Sequence, residues 1–172
     1  CKHVRIELRL DGELMSGALD LEGLCKVLHR QEGTHLVMAL VPEAAALRGY
    51  YHGGLTLHEE HDEALPHVAF KLDSRFLEHS LARDNVIRDE NYAKAMAIVG
   101  EVARTQLVSA LRATLERGVA GLDAGARELL FRGAARYVNR SEEAWLRAAL
   151  VPMLGGPAAS LASLRGGKLW RG

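Results

Sequence analysis

A charged stretch near the middle of the chain, Leu72–Asn91, contains the residue best suited to phosphate chemistry. Arg83 lies there among other charged side chains, just before a segment with helical periodicity. An arginine held in such a loop presents a planar, permanently charged group to a phosphate. If a neighbouring domain holds that phosphate, the arginine stabilises the charge that develops during phosphoryl transfer. The alternative is a surface salt bridge between Arg83 and Asp84 or Asp89, which would carry no chemistry.

A second group of reactive side chains runs from His58 to Glu63 and combines histidines with carboxylates. This combination is typical of transition-metal sites. The zincin pattern, however, needs two histidines four residues apart on one helix face. The residue four positions after His58 is Asp62, and Pro66 together with a strand-like pattern disfavours a helix. We therefore expect a polar strand edge or loop and no metal site, and we keep as an alternative a metal-dependent enzyme built on His58, His61 and Asp62.

Other signatures of catalysis are missing from the sequence. It contains no Gly-x-Ser-x-Gly nucleophile motif and no Gly-x-x-x-x-Gly-Lys phosphate loop. Cys25 lies on a predicted apolar face, where a cysteine behaves as a core residue. We therefore expect these residues alone neither to bind ATP nor to catalyse a reaction.

The composition indicates a globular protein. Of 172 residues, 48% are apolar and 26% are charged, and the formal net charge is zero. Zero net charge removes the basic excess of a general nucleic-acid binder, so no nucleic-acid partner is expected. No apolar run reaches membrane-spanning length, and the two cysteines form no disulfide framework, so we expect a cytoplasmic location without membrane contact. Because the chain starts at Cys1 and enters a strand pattern at once, we also expect a fragment of a longer protein.

The apolar pattern changes at the charged stretch, from alternation typical of strands to a period of three or four residues typical of helices. Adjacent Tyr50 and Tyr51 should point to opposite sides of a strand, one inward and one outward. A helical turn is predicted at Glu43–Leu47. The predicted strands are Val4–Leu10, Glu13–Ala18, Leu36–Val41, Tyr50–Glu59 and Val68–Leu72. The predicted helices are Leu21–Gln31, which Gly33 would end, Glu90–Arg117, one that begins at Asp123, and one that begins at Ser141.

These elements predict an α+β fold, a mixed sheet with packed helices followed by a helical C-terminal part. We expect an α/β domain over residues 1–118, a helical appendage over residues 119–155 and a flexible tail over residues 156–172.

The charged stretch resembles part of a known family. Leu72-Asp73-Ser74, then Leu77, then Leu81-Ala82-Arg83-Asp84 is similar to a run in the middle domain of the heat shock protein 90 family, where it reads roughly Val-Asp-Ser, Leu, Ile-Ser-Arg-Glu with the same spacing. The similarity extends over about Arg48–Leu115. The family's asparagine three positions before the arginine is Ser80 here, and its glutamine four positions after the arginine is Ile87.

The resemblance implies a split β-α-β sandwich, as in the middle domains of GHKL ATPases. It implies that Arg83 is the catalytic arginine, and that Arg83 and Ser80 approach an ATP whose phosphates and Mg are bound mainly by a separate N-terminal domain. It also implies a molecular chaperone with client or partner proteins and a possible homodimer. A further alternative is a stand-alone interaction module that binds its partner through the sheet face around Arg5, Glu7 and Arg9 or through the helical part.

Overall fold

The computed structural model describes residues 3, 9–11, 13–14, 17–81, 85–138, 146–153 and 156–164. These residues form an α+β fold in which a five-stranded mixed sheet packs against helices. The strands are β1 (Arg9–Leu10), β2 (Glu13–Leu14), β3 (Leu24–Gln31), β4 (Thr34–Leu40), β5 (Ala46–His52), β6 (Leu55–Asp62), β7 (Val68–Ser74), β8 (Val151–Met153) and β9 (Gly156–Ala159). The helices are α1 (Glu90–Val102), α2 (Val108–Arg117), α3 (Ala124–Tyr137) and α4 (Leu161–Leu164), and a π-helical segment, Ala103–Leu107, joins α1 to α2.

The five-stranded sheet has the order β3-β4-β7-β5-β6. β7 is the last of these strands in the sequence but lies at the centre of the sheet, antiparallel to β4 and parallel to β5. The outer pairs, β3 with β4 and β5 with β6, are antiparallel hairpins. The buried strand predicted over Leu36–Val41 and the further strand predicted over Val68–Leu72 are thus confirmed as the neighbouring strands β4 and β7.

Both faces of the sheet are covered. One face carries the main core, in which Met38, Phe70 and Leu72 of the sheet share an apolar cluster with Leu107 and Leu130 of the helices. The opposite face carries a smaller cluster of Val37, Ala39, Ala46 and Ala69, with Leu21 buried against it from the segment that precedes β3. The central strand β7 therefore has buried apolar side chains on both faces of the sheet, while Lys71 and Asp73 on the second face are half-buried.

The helix predicted over Glu90–Arg117 is confirmed as one continuous helical rod that includes the π-helical segment. Asp89 caps its start, since the Asp89 side chain accepts a hydrogen bond from the Tyr92 N–H at 2.9 Å. Gly118 ends it with φ of +88°, a conformation that favours glycine. The helix predicted from Asp123 is likewise confirmed, with Asp123 as its N-cap.

The helix predicted over Leu21–Gln31 is wrong, because residues 24–31 form strand β3. Leu24 pairs with Leu40 and Val27 pairs with Met38. Between these two pairs the chain advances three residues in β3 but only two in β4. This bulge, with Cys25 at φ of +53°, places two apolar residues three positions apart on the same face. The spacing therefore imitates a helix.

Three further local predictions need correction. The turn that Gly33 was expected to make after a helix is the tip of the β3–β4 hairpin, where Glu32 and Gly33 both have positive φ, as a two-residue hairpin turn requires. The helical turn predicted at Glu43–Leu47 is also wrong, since β5 begins at Ala46. The strand predicted over Tyr50–Glu59 is instead a hairpin of β5 and β6, with its turn at Gly53-Gly54.

Tyr50 and Tyr51 point to opposite faces, as predicted, but both are fully buried, so the expectation that one is exposed is wrong. Tyr50 packs edge-on against Phe70 in the main core. Tyr51 lies across Gly49 on the other face, donates a hydrogen bond to Glu59, and is covered by the His3 ring at 4.9 Å. At Tyr51 this face is thus closed to solvent, although no helix of the described residues packs on it.

The C-terminal part combines helix and strand. Leu129, Leu130 and Ala134 of α3 are buried in the same apolar cluster as the sheet. β8 and β9 form a small antiparallel hairpin that the sequence pattern did not predict, and α4 follows it. The helix predicted from Ser141 begins outside the described residues. In the described part of the chain, no helix has the length and apolar character needed to cross a membrane.

We predict that Gly49→Ala lowers the free energy of unfolding by about 1–3 kcal/mol, because a Cβ at this position would lie 2.6 Å from the Tyr51 hydroxyl and the buried ring has no space to move. Urea unfolding measures the change. Gly121→Ala is the matched control, since no heavy atom lies within 4 Å of its added Cβ. Equal stability of the two variants would show that the Tyr51 ring is not held over Gly49.

Candidate functional site

The segment between β7 and α1 contains a closed loop, residues 78–87, which we call the bridged loop. An antiparallel bridge joins His79 to Val86. The Ser80 N–H donates to the Asn85 carbonyl at 2.8 Å, and the Ile87 N–H donates to the Glu78 carbonyl at 2.9 Å. These bonds fix the two limbs of the loop against each other.

The base of the bridged loop is fastened to the sheet. Leu77 and Val86 are buried in the main core, one before the loop and one near its end. His52, at the end of β5, has its Nδ1 2.7 Å from the Leu77 carbonyl, so a proton on that nitrogen makes a hydrogen bond. The loop therefore begins and ends at positions set by the sheet.

Both sequence-predicted site residues, Ser80 and Arg83, fall within the sequence range of the bridged loop. Arg83, with its neighbours Ala82 and Asp84, lies outside the described residues. Ser80, the other predicted contact to the nucleotide, is half-buried and belongs to the bridged limb. Leu81 is fully exposed, and Phe76 and Ile87 near the base are 43% and 38% exposed. Three large apolar side chains thus face solvent in or beside the bridged loop.

A polar cluster connects the end of this segment to edge strand β6. The Tyr50 hydroxyl lies 3.3 Å from Glu60 Oε1 and 3.3 Å from the Tyr92 hydroxyl. Glu60 Oε2 lies 3.8 Å from a guanidinium nitrogen of Arg88 and 3.6 Å from His58 Nε2. The sequence carried no signal for this cluster, because its members come from β5, β6, α1 and the segment just before α1 and meet only in the fold.

The histidine-rich run does not converge on one site. In β6, His58 and Asp62 share the face of Tyr50, whereas His61 points to the opposite face. The Asp62 carboxylate is engaged by the buried Arg48 at 3.3 Å. Among the described residues, no group of three histidine, cysteine or acidic side chains is placed to hold a metal ion.

Cys25 is a half-buried thiol whose sulfur lies 3.6 Å from the Thr114 hydroxyl. Burial raises the pKa of the Cys25 thiol, which keeps it protonated near neutral pH. This environment agrees with the expectation of a packing residue. Of the sheet-face residues named for an interaction module, Arg5 and Glu7 lie outside the described residues, and Arg9 is exposed on β1.

Comparison with known proteins returned no family model, no curated protein and no solved structure that matches the chain.

We predict that the chain loses stability steeply above about pH 10. Burial raises the pKa of both Tyr50 and Tyr51, and the neighbouring acids Glu60 and Glu59 raise it further. The neutral phenols are therefore favoured in the folded state, and their contribution is complete below the unfolded tyrosine value of 10.0 and is lost as pH rises above it. Each tyrosine should lower the free energy of unfolding by about 1.4 kcal/mol per pH unit in this range.

Urea unfolding between pH 9 and pH 11.5 tests this expectation, with Tyr51→Phe compared with the wild-type chain in the same buffers. The variant should show the shallower dependence on pH, because one of the two titrating groups is gone. An unchanged slope would mean that Tyr51 ionises equally well in the folded and unfolded states.

Proposed function

We propose that this chain is a middle, transducer-like domain of a heat shock protein 90-like ATPase in the cytoplasm, in which Arg83 is supplied to an ATP held with Mg by a separate N-terminal domain. In this role Arg83 stabilises charge on the transferring phosphoryl group, and Ser80 lies next to the nucleotide. Loop position then couples nucleotide state to client or partner binding, with homodimer formation as part of the cycle.

The single observation that carries the proposal is the bridged loop. In the sequence, Arg83 comes between Ser80 and Asn85, whose backbone groups are bonded to each other, and a second bond joins Glu78 and Ile87 outside that pair. An arginine that acts on another domain must project from its own domain yet keep a fixed origin. A loop fastened by buried Leu77 and Val86 meets that requirement.

The exposed apolar side chains support the same role. Fully exposed Leu81, two positions before Arg83, offers a surface that a neighbouring domain would cover when it approaches the arginine. The same exposure also favours the second candidate, a stand-alone interaction module, in which this loop surface binds a partner without any ATPase role.

The finer fold assignment, a split β-α-β sandwich of the GHKL type, belongs to the proposal. Its support is the mixed sheet with a central parallel pair, β5 and β7, followed by a long amphipathic helix. The stretch from β3 to β7 departs from that pattern, because its five strands follow one another without a helix between them.

We predict that Arg83→Ala lowers kcat for ATP turnover by the full-length gene product at least tenfold, and as much as about a thousandfold if the arginine acts as in the best-studied nucleotide hydrolases. The KM for ATP should change little, because the contact forms mainly in the transition state. Steady-state phosphate release over a range of ATP concentrations separates the two parameters.

Arg104→Ala is the matched control for this substitution. Arg104 is exposed on the long helix and pairs with Glu101 three residues earlier at 3.0 Å, far from the loop in sequence. Its removal should leave turnover unchanged. If the parent protein turns over ATP and Arg83→Ala behaves like this control, Arg83 has no catalytic role. If the parent protein shows no turnover, the interaction module becomes the better description.

A further inference from the structure

We propose that Glu60, on edge strand β6, is a positioning residue that holds the arginine-bearing loop in place. This inference rests on the proposed function, and it extends that function to a residue more than twenty positions away in the sequence. Among the described residues, the contacts of Glu60 lie outside the bridged loop. Glu60 acts through Tyr50, Tyr92 and Arg88.

The hydrogen bonds run in one direction through this cluster. A phenol has a single proton, and the Glu60 carboxylate can only accept. Tyr50 therefore donates to Glu60 Oε1 at 3.3 Å, and the Tyr92 hydroxyl donates to the Tyr50 oxygen at 3.3 Å. Because Tyr92 is in the first turn of α1 and Glu60 is on the edge strand, this chain of bonds ties the start of the helix across the sheet.

The second carboxylate oxygen of Glu60 faces two basic groups. A guanidinium nitrogen of Arg88 lies 3.8 Å from Oε2, and His58 Nε2 lies 3.6 Å from it. The Arg88 guanidinium also lies over the Tyr92 ring, 5.8 Å from its centroid. Arg88 directly follows Ile87, whose N–H closes the bridged loop. Glu60 thus attracts Arg88, the residue that directly follows the bridged loop, and reaches Tyr92 through Tyr50.

The contacts differ in strength, and this difference decides which variant is informative. Arg88 is largely exposed, so its ion pair alone is weak. The Tyr50 hydroxyl is buried and its acceptor is charged, which makes that bond the stronger one and its loss the costlier one. Glu60→Ala removes both contacts, whereas Glu60→Gln keeps an acceptor for Tyr50 and removes only the charge.

Amide hydrogen exchange of this chain tests the positioning role without reference to any activity. In Glu60→Ala, exchange of the Ser80 and Ile87 N–H groups should become at least tenfold faster, while that of Leu130 in α3, which reports on global unfolding, changes less. Glu60→Gln should give an intermediate effect. Glu101→Ala is the matched control, since this variant loses only an exposed ion pair between Glu101 and Arg104. Ser80 and Ile87 exchange that is unchanged, or faster only in proportion to Leu130, would overturn the proposal.

A double-mutant cycle in the full-length protein separates this inference from the proposed function. Glu60→Ala should lower kcat several-fold with little change in the KM for ATP, and should cause no further loss when Arg83 is already alanine. An equal loss in both backgrounds would show that Glu60 acts on the fold and not through the arginine. If Arg83→Ala itself has no effect on turnover, the proposed function fails, while the exchange result still decides whether Glu60 orders the loop.

Discussion

The insertion of β7 between β4 and β5 is the constraint on which the rest of the structure depends. β7 is the last strand of the sheet to occur in the sequence, yet it pairs along its whole length with β4 and over four residues with β5. It contributes buried side chains to both faces, since Phe70 and Leu72 join the main core and Ala69 joins the smaller one. Removal of this strand would leave two separate hairpins without a shared core.

The same insertion decides where the bridged loop emerges. β5 is parallel to β7, so it ends at His52 beside the end of β7, and β4 is antiparallel, so it starts at Thr34 at that same end. The Ser74 and Thr34 hydroxyls are consequently hydrogen-bonded at 2.9 Å, and the Arg75 N–H donates to the Gly33 carbonyl at 3.2 Å. At the same end of the sheet, His52 Nδ1 lies against the Leu77 carbonyl. The carboxyl ends of parallel strands in open sheets are a frequent location of functional loops.

Sequence reasoning succeeded where one local rule decided the structure. The long helix has an aspartate cap at Asp89, a continuous apolar stripe and a terminal glycine at Gly118, and its limits were predicted closely. It failed at β3, because the bulge at Cys25 changes the apparent period of the apolar residues. The burial of Tyr51 could not be predicted from the sequence either. It depends on Gly49, Glu59 and His3, which meet only after the sheet forms. The cluster around Glu60 has the same origin in long-range packing.

The candidate site shows the same division. The charges of the loop, and its place between a strand-like and a helix-like apolar pattern, indicate a functional segment. The sequence does not show that the two limbs of the loop are bonded to each other. Those bonds use backbone groups at Ser80 and Ile87, two of the positions where the chain differs from the heat shock protein 90 run that it is expected to resemble. A backbone bond does not require a particular side chain, so the closure of the loop tolerates serine and isoleucine there. Under the proposed function, these two departures alter what surrounds the nucleotide, while the loop that carries Arg83 keeps its base.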